Sequence, residues 1–207
     1  MEELIIKMKK DVQLACTRAY TRGIQTGSGG NVSARIPGTD HMIVKPSKVS
    51  LIECDPATLI ITDFDGNLVE GSLPPTREAV LHGWLYKKFA NIGAVVHTHS
   101  PWAISWSFTR KDLPNITMHT QLKLGCPIPV RFFSSPKGVQ KEEMPEVYGL
   151  FEKEPNLAAF ILGAHGVVAV GENIIEAEHT AELIEETAQI AYLHEMGLKL
   201  GMFPDKQ

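Results

Sequence analysis

The segments Thr58-Leu-Ile-Ile-Thr62 and Leu68-Val69 flank Asp65-Gly66-Asn67, and two apolar runs about such a triplet read as a tight β-hairpin. Hairpins join antiparallel neighbours, whereas parallel neighbours need a crossover of about a dozen residues or more. Further strand patterns fall at Val32-Ser-Ala-Arg-Ile36, Met42–Lys45, Ala94-Val-Val-His97, Ile128–Phe132, Leu157–Leu162 and Val167–Val170. Helical periods run between them: residues 2–22 ending at Gly23, Thr76–Phe89 with Thr76 as N-cap, Pro101–Phe108, Glu143–Glu154, and Ile174–Met196 stopped by Gly197. No strand–helix–strand unit repeats, and no linker divides the chain. The pattern predicts one α/β domain over residues 1–207, a mainly antiparallel sheet covered by helices.

His97-Thr98-His99 ends one of the most apolar of these strands. Side chains at i and i+2 of a strand share a face, so both imidazoles can reach one ion. His165 also follows an apolar strand, and Gly166 after it would let the backbone turn sharply. Three neutral imidazoles with a fourth position open make a catalytic zinc arrangement and suit other first-row divalent ions. Histidines at i and i+2 also occur without any ligand role. His41, His119, His179 and His194 lack a comparable setting and read as surface or packing residues.

Glu78 lies at the start of the helix after Pro74-Pro75, where the helix dipole alone favours a carboxylate. His82, at i+4, shares its helix face. The functional alternative aims Glu78 at the metal as acid or base. Gly27-Ser-Gly-Gly-Asn31 matches neither the dinucleotide fingerprint nor the P-loop. It is either a helix-to-strand turn or a nest of N–H groups around an anion, with Ser28 and Asn31 assisting. Pro46-Ser47-Lys48 and Thr76-Arg77 add hydroxyl and cationic groups suited to phosphate.

At 207 residues the chain is long enough for a full core without disulfides. A net charge of -4 gives no reason to expect nucleic acid or an anionic membrane as partner, so an anionic ligand must be held by local groups. Cys16, Cys54 and Cys126 lie far apart in sequence with no Cys-x-x-Cys pair, which points away from a disulfide framework and a thiolate zinc site. The N-terminus has no apolar signal core and no stretch reaches a membrane-spanning length. A soluble, cytoplasmic protein is expected.

In order along the chain, Thr26-Gly-Ser-Gly-Gly-Asn-Val-Ser33, Val44-Lys-Pro-Ser47, Thr76-Arg-Glu78 with His82 and Tyr86, Val96-His-Thr-His-Ser100 and Ala164-His-Gly166 resemble the class II aldolase/adducin family of sugar-phosphate enzymes. The resemblance covers roughly residues 10–195. It implies a three-layer α/β/α sandwich and a homotetramer with active sites between neighbouring subunits. It also implies a zinc ion (Zn2+) on His97, His99 and His165, Glu78 as acid/base, and Gly30, Asn31, Ser47, Thr76 and Arg77 around a substrate phosphate, with Lys48 beside them. Lys48 stands where the family often has glycine, and Arg77 replaces the second hydroxyl residue of the usual Ser-Ser pair.

Family chemistries share a metal that polarises a carbonyl or hydroxyl oxygen. A zinc-dependent aldolase cleaving a ketose 1-phosphate to dihydroxyacetone phosphate and an aldehyde is the first expectation. The fuculose-phosphate aldolases carry a tyrosine where this chain reads Ile116-Thr-Met-His-Thr-Gln121, and another in a C-terminal tail, while this chain ends soon after Gly201. The pentulose-phosphate 4-epimerases usually have aspartate at the Glu78 position and a longer C-terminal region, and both features weigh against that alternative here. The related dehydratases have Gln-Glu where Gln121 is followed by Leu122. A sugar-acid-phosphate decarboxylase is a further alternative, its carboxylate met by Arg77 or Lys48. Adducin-like interaction modules lack the metal ligands, so the intact histidines and Glu78 argue against that role.

Overall fold

The structure is a computed structural model and describes residues 1–135 and 138–203. Its strands are β1 (Asn31–Arg35), β2 (His41–Val44), β3 (Ile60–Asp63), β4 (Leu68–Glu70), β5 (Ala94–Thr98), β6 (Val130–Arg131), β7 (Ala159–Leu162) and β8 (Gly166–Gly171). Its helices are α1 (Glu2–Thr21), α2 (Ala79–Lys88), α3 (Pro101–Ser107), α4 (Met118–Leu124), α5 (Met144–Lys153) and α6 (Ile174–Lys199). The β3–β4 turn forms as its residue types require. Gly66 takes φ +84°, and the Asp63 carboxylate accepts the N–H groups of Asp65 and Asn67, each at 2.9 Å.

The eight strands form one sheet in the order β4-β3-β2-β1-β5-β8-β7-β6. Every neighbouring pair is antiparallel except β6 and β7, which the α5 crossover joins in parallel. Alternation along the strands divides the core. Val32, Ala34, Ala94, Val96, Val167 and Ala169 face α1 and α6, while Met42, Val44, Val95, Phe160 and Val168 face α2 and α5. Helices thus cover both faces, giving the expected three layers around a mainly antiparallel sheet. Strand β5 is buried along its whole length, which explains its apolar run. Among the described residues no helix is long and apolar enough to cross a membrane.

Several expectations are corrected. Gly197 does not stop the last helix. It is buried within α6, where a Cβ would lie 2.1 Å from the Phe203 ring, and the chain turns instead at Gly201 with φ +66°. Thr76 is not the N-cap of α2; that position falls to Glu78, while the Thr76 carbonyl accepts the N–H of Ala79. The Ile128–Phe132 strand shrinks to Val130–Arg131, with Ile128 in an isolated bridge to Leu113. Helix α4 was not foreseen: two short turns capped by Thr117 and Thr120 are too brief for a hydrophobic period. Cys16 and Cys54, distant in sequence, share one buried hydrogen-bonded environment as free thiols.

Candidate metal centre

Sheet register assembles the site. Strand β5 lies between β1 and β8, with His97 opposite Asn31 on one side and Val168 on the other. Antiparallel pairing therefore brings the end of β5 to the beginnings of β1 and β8. His97 closes the apolar run, His99 follows just past the strand, and His165 sits one residue before β8. The ring centroids of His97–His99, His97–His165 and His99–His165 are 5.0, 4.9 and 5.1 Å apart. One nitrogen from each lies within 4.8 Å of the other two, a cluster able to hold a metal ion.

The turn carrying His165 differs from expectation. The left-handed residue is Ala164, at φ +59°, not Gly166. Gly166 serves close approach instead, since a Cβ there would meet the Thr98 carbonyl oxygen at 2.2 Å. The Ala164 N–H is held by Ser107 Oγ at 2.9 Å, tying the turn to α3.

The donor chemistry fits a cation. His97 Nδ1 lies 2.8 Å from the Val167 carbonyl oxygen, which can only accept, so Nδ1 carries the proton and Nε2 the lone pair. His97 Nε2 is buried without a hydrogen-bond partner, an orphan atom that an ion would satisfy. Burial, reinforced by the neighbouring imidazoles, pulls His97 down to about 3 and His99 to about 4. Both rings are neutral at neutral pH and present lone pairs.

Glu78 faces the same space. Its Oε2 lies 3.7 Å from His97 Nε2 and its Oε1 3.8 Å from His165 Nε2. Because His97 is neutral, the first approach is no ion pair; it sets a carboxylate beside the histidine nitrogens. Although Glu78 occupies the N-cap position, its side chain caps nothing and instead accepts the Asn31 Nδ2–H. Gly138 packs against it at φ +96°, and a Cβ there would come within 2.7 Å of Oε1. His82 turns away into the core, where Nδ1 meets Ser33 Oγ at 2.7 Å and Ser33 Oγ meets the Tyr86 hydroxyl at 2.6 Å.

The phosphate candidates differ in how firmly the structure holds them. Gly30 is buried at φ +64°, leaving no room for a Cβ between Gln25 and the His97 carbonyl. Asn31 spends its Nδ2 on Glu78. The Ser47 N–H donates to the Pro74 carbonyl at 2.9 Å, which joins the 46–48 turn to the 74–77 turn. Lys48 takes φ +64°, the conformation that glycine adopts freely, and both Lys48 and Arg77 are exposed. Residues 136–137 lie outside the described residues.

Three neighbours of the site were not singled out from sequence. Lys45 is buried, with Nζ donating to the carbonyls of Ser28 at 3.0 Å and Val49 at 2.7 Å, and burial lowers its pKa. Its place in Val44-Lys-Pro-Ser47 was the available signal. Gln25 accepts the His99 N–H, and Gly138 shapes the Glu78 pocket. Neither has a local sequence signature, because each contact spans a long loop in the chain.

Comparison with known proteins gives this geometry a context. The Class II Aldolase and Adducin N-terminal domain family matches residues 10–192. The L-ribulose-5-phosphate 4-epimerases UlaF of Salmonella typhi and Salmonella paratyphi A are each 31% identical over 205 residues, covering 96% of this chain and 89% of theirs. YgbL of Escherichia coli, whose activity is left open among aldolase, epimerase and decarboxylase, has a TM-score of 0.78 at 26% identity, with 92% of this chain and 90% of YgbL covered. An L-fuculose 1-phosphate aldolase has a TM-score of 0.79 at 24% identity, with 91% and 86% covered, and shares the fold.

Proposed function

This chain belongs to the Class II Aldolase and Adducin N-terminal domain family, and on that premise we propose that it is a metal-dependent aldolase. Its substrate is a ketose 1-phosphate, and its products are dihydroxyacetone phosphate and an aldehyde. His97, His99 and His165 hold the ion, zinc or another first-row divalent metal, and Glu78 carries the proton. One observation carries the reading: the Glu78 carboxylate stands 3.7 and 3.8 Å from the Nε2 atoms of His97 and His165. Three nitrogen donors leave an open coordination position, the arrangement of a catalytic site. When bound, the metal polarises a substrate oxygen and offsets the negative charge that develops there.

The chain's own groups do the rest. Breaking the carbon–carbon bond turns the hydroxyl on the departing carbon into the aldehyde carbonyl, its proton passing to solvent, and leaves an electron pair on the carbon that becomes dihydroxyacetone phosphate. Glu78 in its acid form delivers a proton to that carbon, and as carboxylate removes the same proton in the synthetic direction. Asn31, held on Glu78 Oε2, fixes the carboxyl plane. Gly30 and Asn31 at the end of the Gly-rich turn, the hydroxyls of Ser47 and Thr76, and the cations Lys48 and Arg77 receive the substrate phosphate. Met118 and Leu122, 87% and 80% exposed on α4, are apolar surface of the kind a neighbouring subunit covers, which supports self-association; the homotetramer itself is what the family resemblance implies.

A second reading has its own support. The UlaF proteins are 31% identical over 96% of this chain and are named as 4-epimerases. An epimerase would break and re-form the bond without releasing the fragments. The test incubates metal-loaded protein with a panel of ketose 1-phosphates, L-ribulose 5-phosphate and sugar-acid phosphates. Dihydroxyacetone phosphate, the epimeric pentulose and carbon dioxide are followed in parallel. Dihydroxyacetone phosphate should appear as sugar is consumed. Epimer without it selects the second reading, and carbon dioxide selects a decarboxylase. Equal turnover after exhaustive chelation contradicts every metal-dependent reading.

A further inference from the structure

Gln25 links two parts of the site that the proposed chemistry treats separately. Its side chain is buried and both ends of its amide are in use. Oε1 accepts the backbone N–H of His99 at 2.8 Å, and Nε2 donates to the Thr26 carbonyl at 2.7 Å. The Gly-rich turn is moulded on this amide. A Cβ at Gly29 would lie 2.8 Å from Gln25 Nε2, and one at Gly30 would lie 2.6 Å from Gln25 Oε1. The same Cβ at Gly29 would lie 2.8 Å from His99 Nδ1, so turn, amide and imidazole form one contiguous packing unit.

His99 stands past the end of β5 and lacks the ladder bonds that hold His97. Its backbone N–H is fixed by a side chain from the segment that leads into the turn. A planar amide bonded at both ends cannot yield at one end alone. A shift of the Thr26 carbonyl, or of Gly29 and Gly30 packed on the amide, therefore has a direct route to the peptide that carries His99. A ligand that orders the turn favours one position of His99, and an ion that fixes His99 favours one conformation of the turn.

We propose that Gln25 is a positioning residue that couples anion binding in the Gly-rich turn to the metal affinity of the histidine centre. The coupling rests on the metal and phosphate roles given under Proposed function. Reciprocity is required: if orthophosphate tightens the metal by some factor, the metal tightens orthophosphate equally. Direct attraction between a cation and an anion also contributes. That part does not need Gln25, so the proposal concerns what is lost when Gln25 is changed.

The test measures zinc affinity of the untagged full chain by competition with a chromogenic chelator, with and without saturating orthophosphate. The wild type should bind zinc about 5-fold or more tightly in phosphate. Gln25→Met keeps a side chain of similar size but neither hydrogen bond, and its gain should fall below about 2-fold while zinc still binds. Ser100→Ala loosens the segments on either side by removing the bonds to the Ile24 carbonyl and to Thr98 Oγ1, yet leaves Gln25 in place and should keep the wild-type gain. A wild-type gain in Gln25→Met, or no gain in the wild type, overturns the proposal. Absence of zinc binding in the wild type instead overturns the metal reading on which it rests. Hydrogen exchange needs no variant: orthophosphate added to metal-free wild type should slow exchange of the His99 amide, and an unchanged rate also overturns the coupling.

Discussion

His97 lies one residue from the end of a strand that is buried along its whole length and paired on both sides, whereas Lys48 and Arg77 stand exposed on turns outside the sheet. The proposed metal side of the site is over-determined: register fixes where His97 emerges, a carbonyl fixes its tautomer, and packed glycines exclude alternatives. The proposed phosphate side has few such constraints around its cations. Removing a group from the first region should therefore disable the centre, while removing one from the second should weaken binding and leave the centre assembled. Glu78 belongs with the first region despite its position at a helix start, because Asn31 and Gly138 hold it.

The sharpest way to break this contrast is Glu78→Gln. It should lower kcat by roughly 10²–10⁴-fold with metal content unchanged, the scale of losing a positioned acid or base. Undiminished turnover would remove Glu78 from the mechanism. Next comes Gly138→Ala, which forces a Cβ toward Glu78 Oε1 at a residue of φ +96°. Misplacing the carboxyl should cost up to about 10²-fold in kcat with metal still bound. An unaltered kcat would show that this glycine does not shape the carboxylate's position.

A third prediction concerns acid. His97 near 3 and His99 near 4 lie below an unfolded imidazole at about 6.5, so the unfolded chain takes up protons that the metal-free native state refuses. Their contribution is intact above pH ~6.5 and is lost as pH falls toward 4 and then 3. Urea unfolding of metal-free protein at pH 7.5 and pH 5 should show lower stability at pH 5, with a smaller difference in His97→Asn. An equal difference in that variant would mean that His97 does not carry the effect. The smallest effect is expected at the turns. Lys48→Gly and Arg77→Ala should each raise KM about 2–5-fold, less at high salt, with kcat kept, as for an exposed ion pair. A collapse of kcat in either would move that cation into the reaction itself.

Legibility from sequence follows the same divide. Elements with strong periodicity or tight turns emerged close to expectation, because β5, β8 and the β3–β4 hairpin are decided by local burial and turn chemistry. The histidine cluster was readable for the same reason, since strand period sets where His97 points. Helix α4 and the truncated β6 escaped because their few residues carry no period. Gly197 misled because a glycine that admits the Phe203 ring looks, in sequence, like one that ends a helix. Gln25 and Gly138 act through contacts with His99 and Glu78 far along the chain, which no local pattern reports.

Metal content tests the central claim most directly, measured by elemental analysis on untagged wild type, Glu78→Gln and His97→Ala after equilibration with zinc and removal of excess. The account predicts about one ion per chain in the wild type and in Glu78→Gln, and loss of bound ion in His97→Ala, because three imidazoles complete the donor set. Full occupancy in His97→Ala, or none in the wild type, would contradict it.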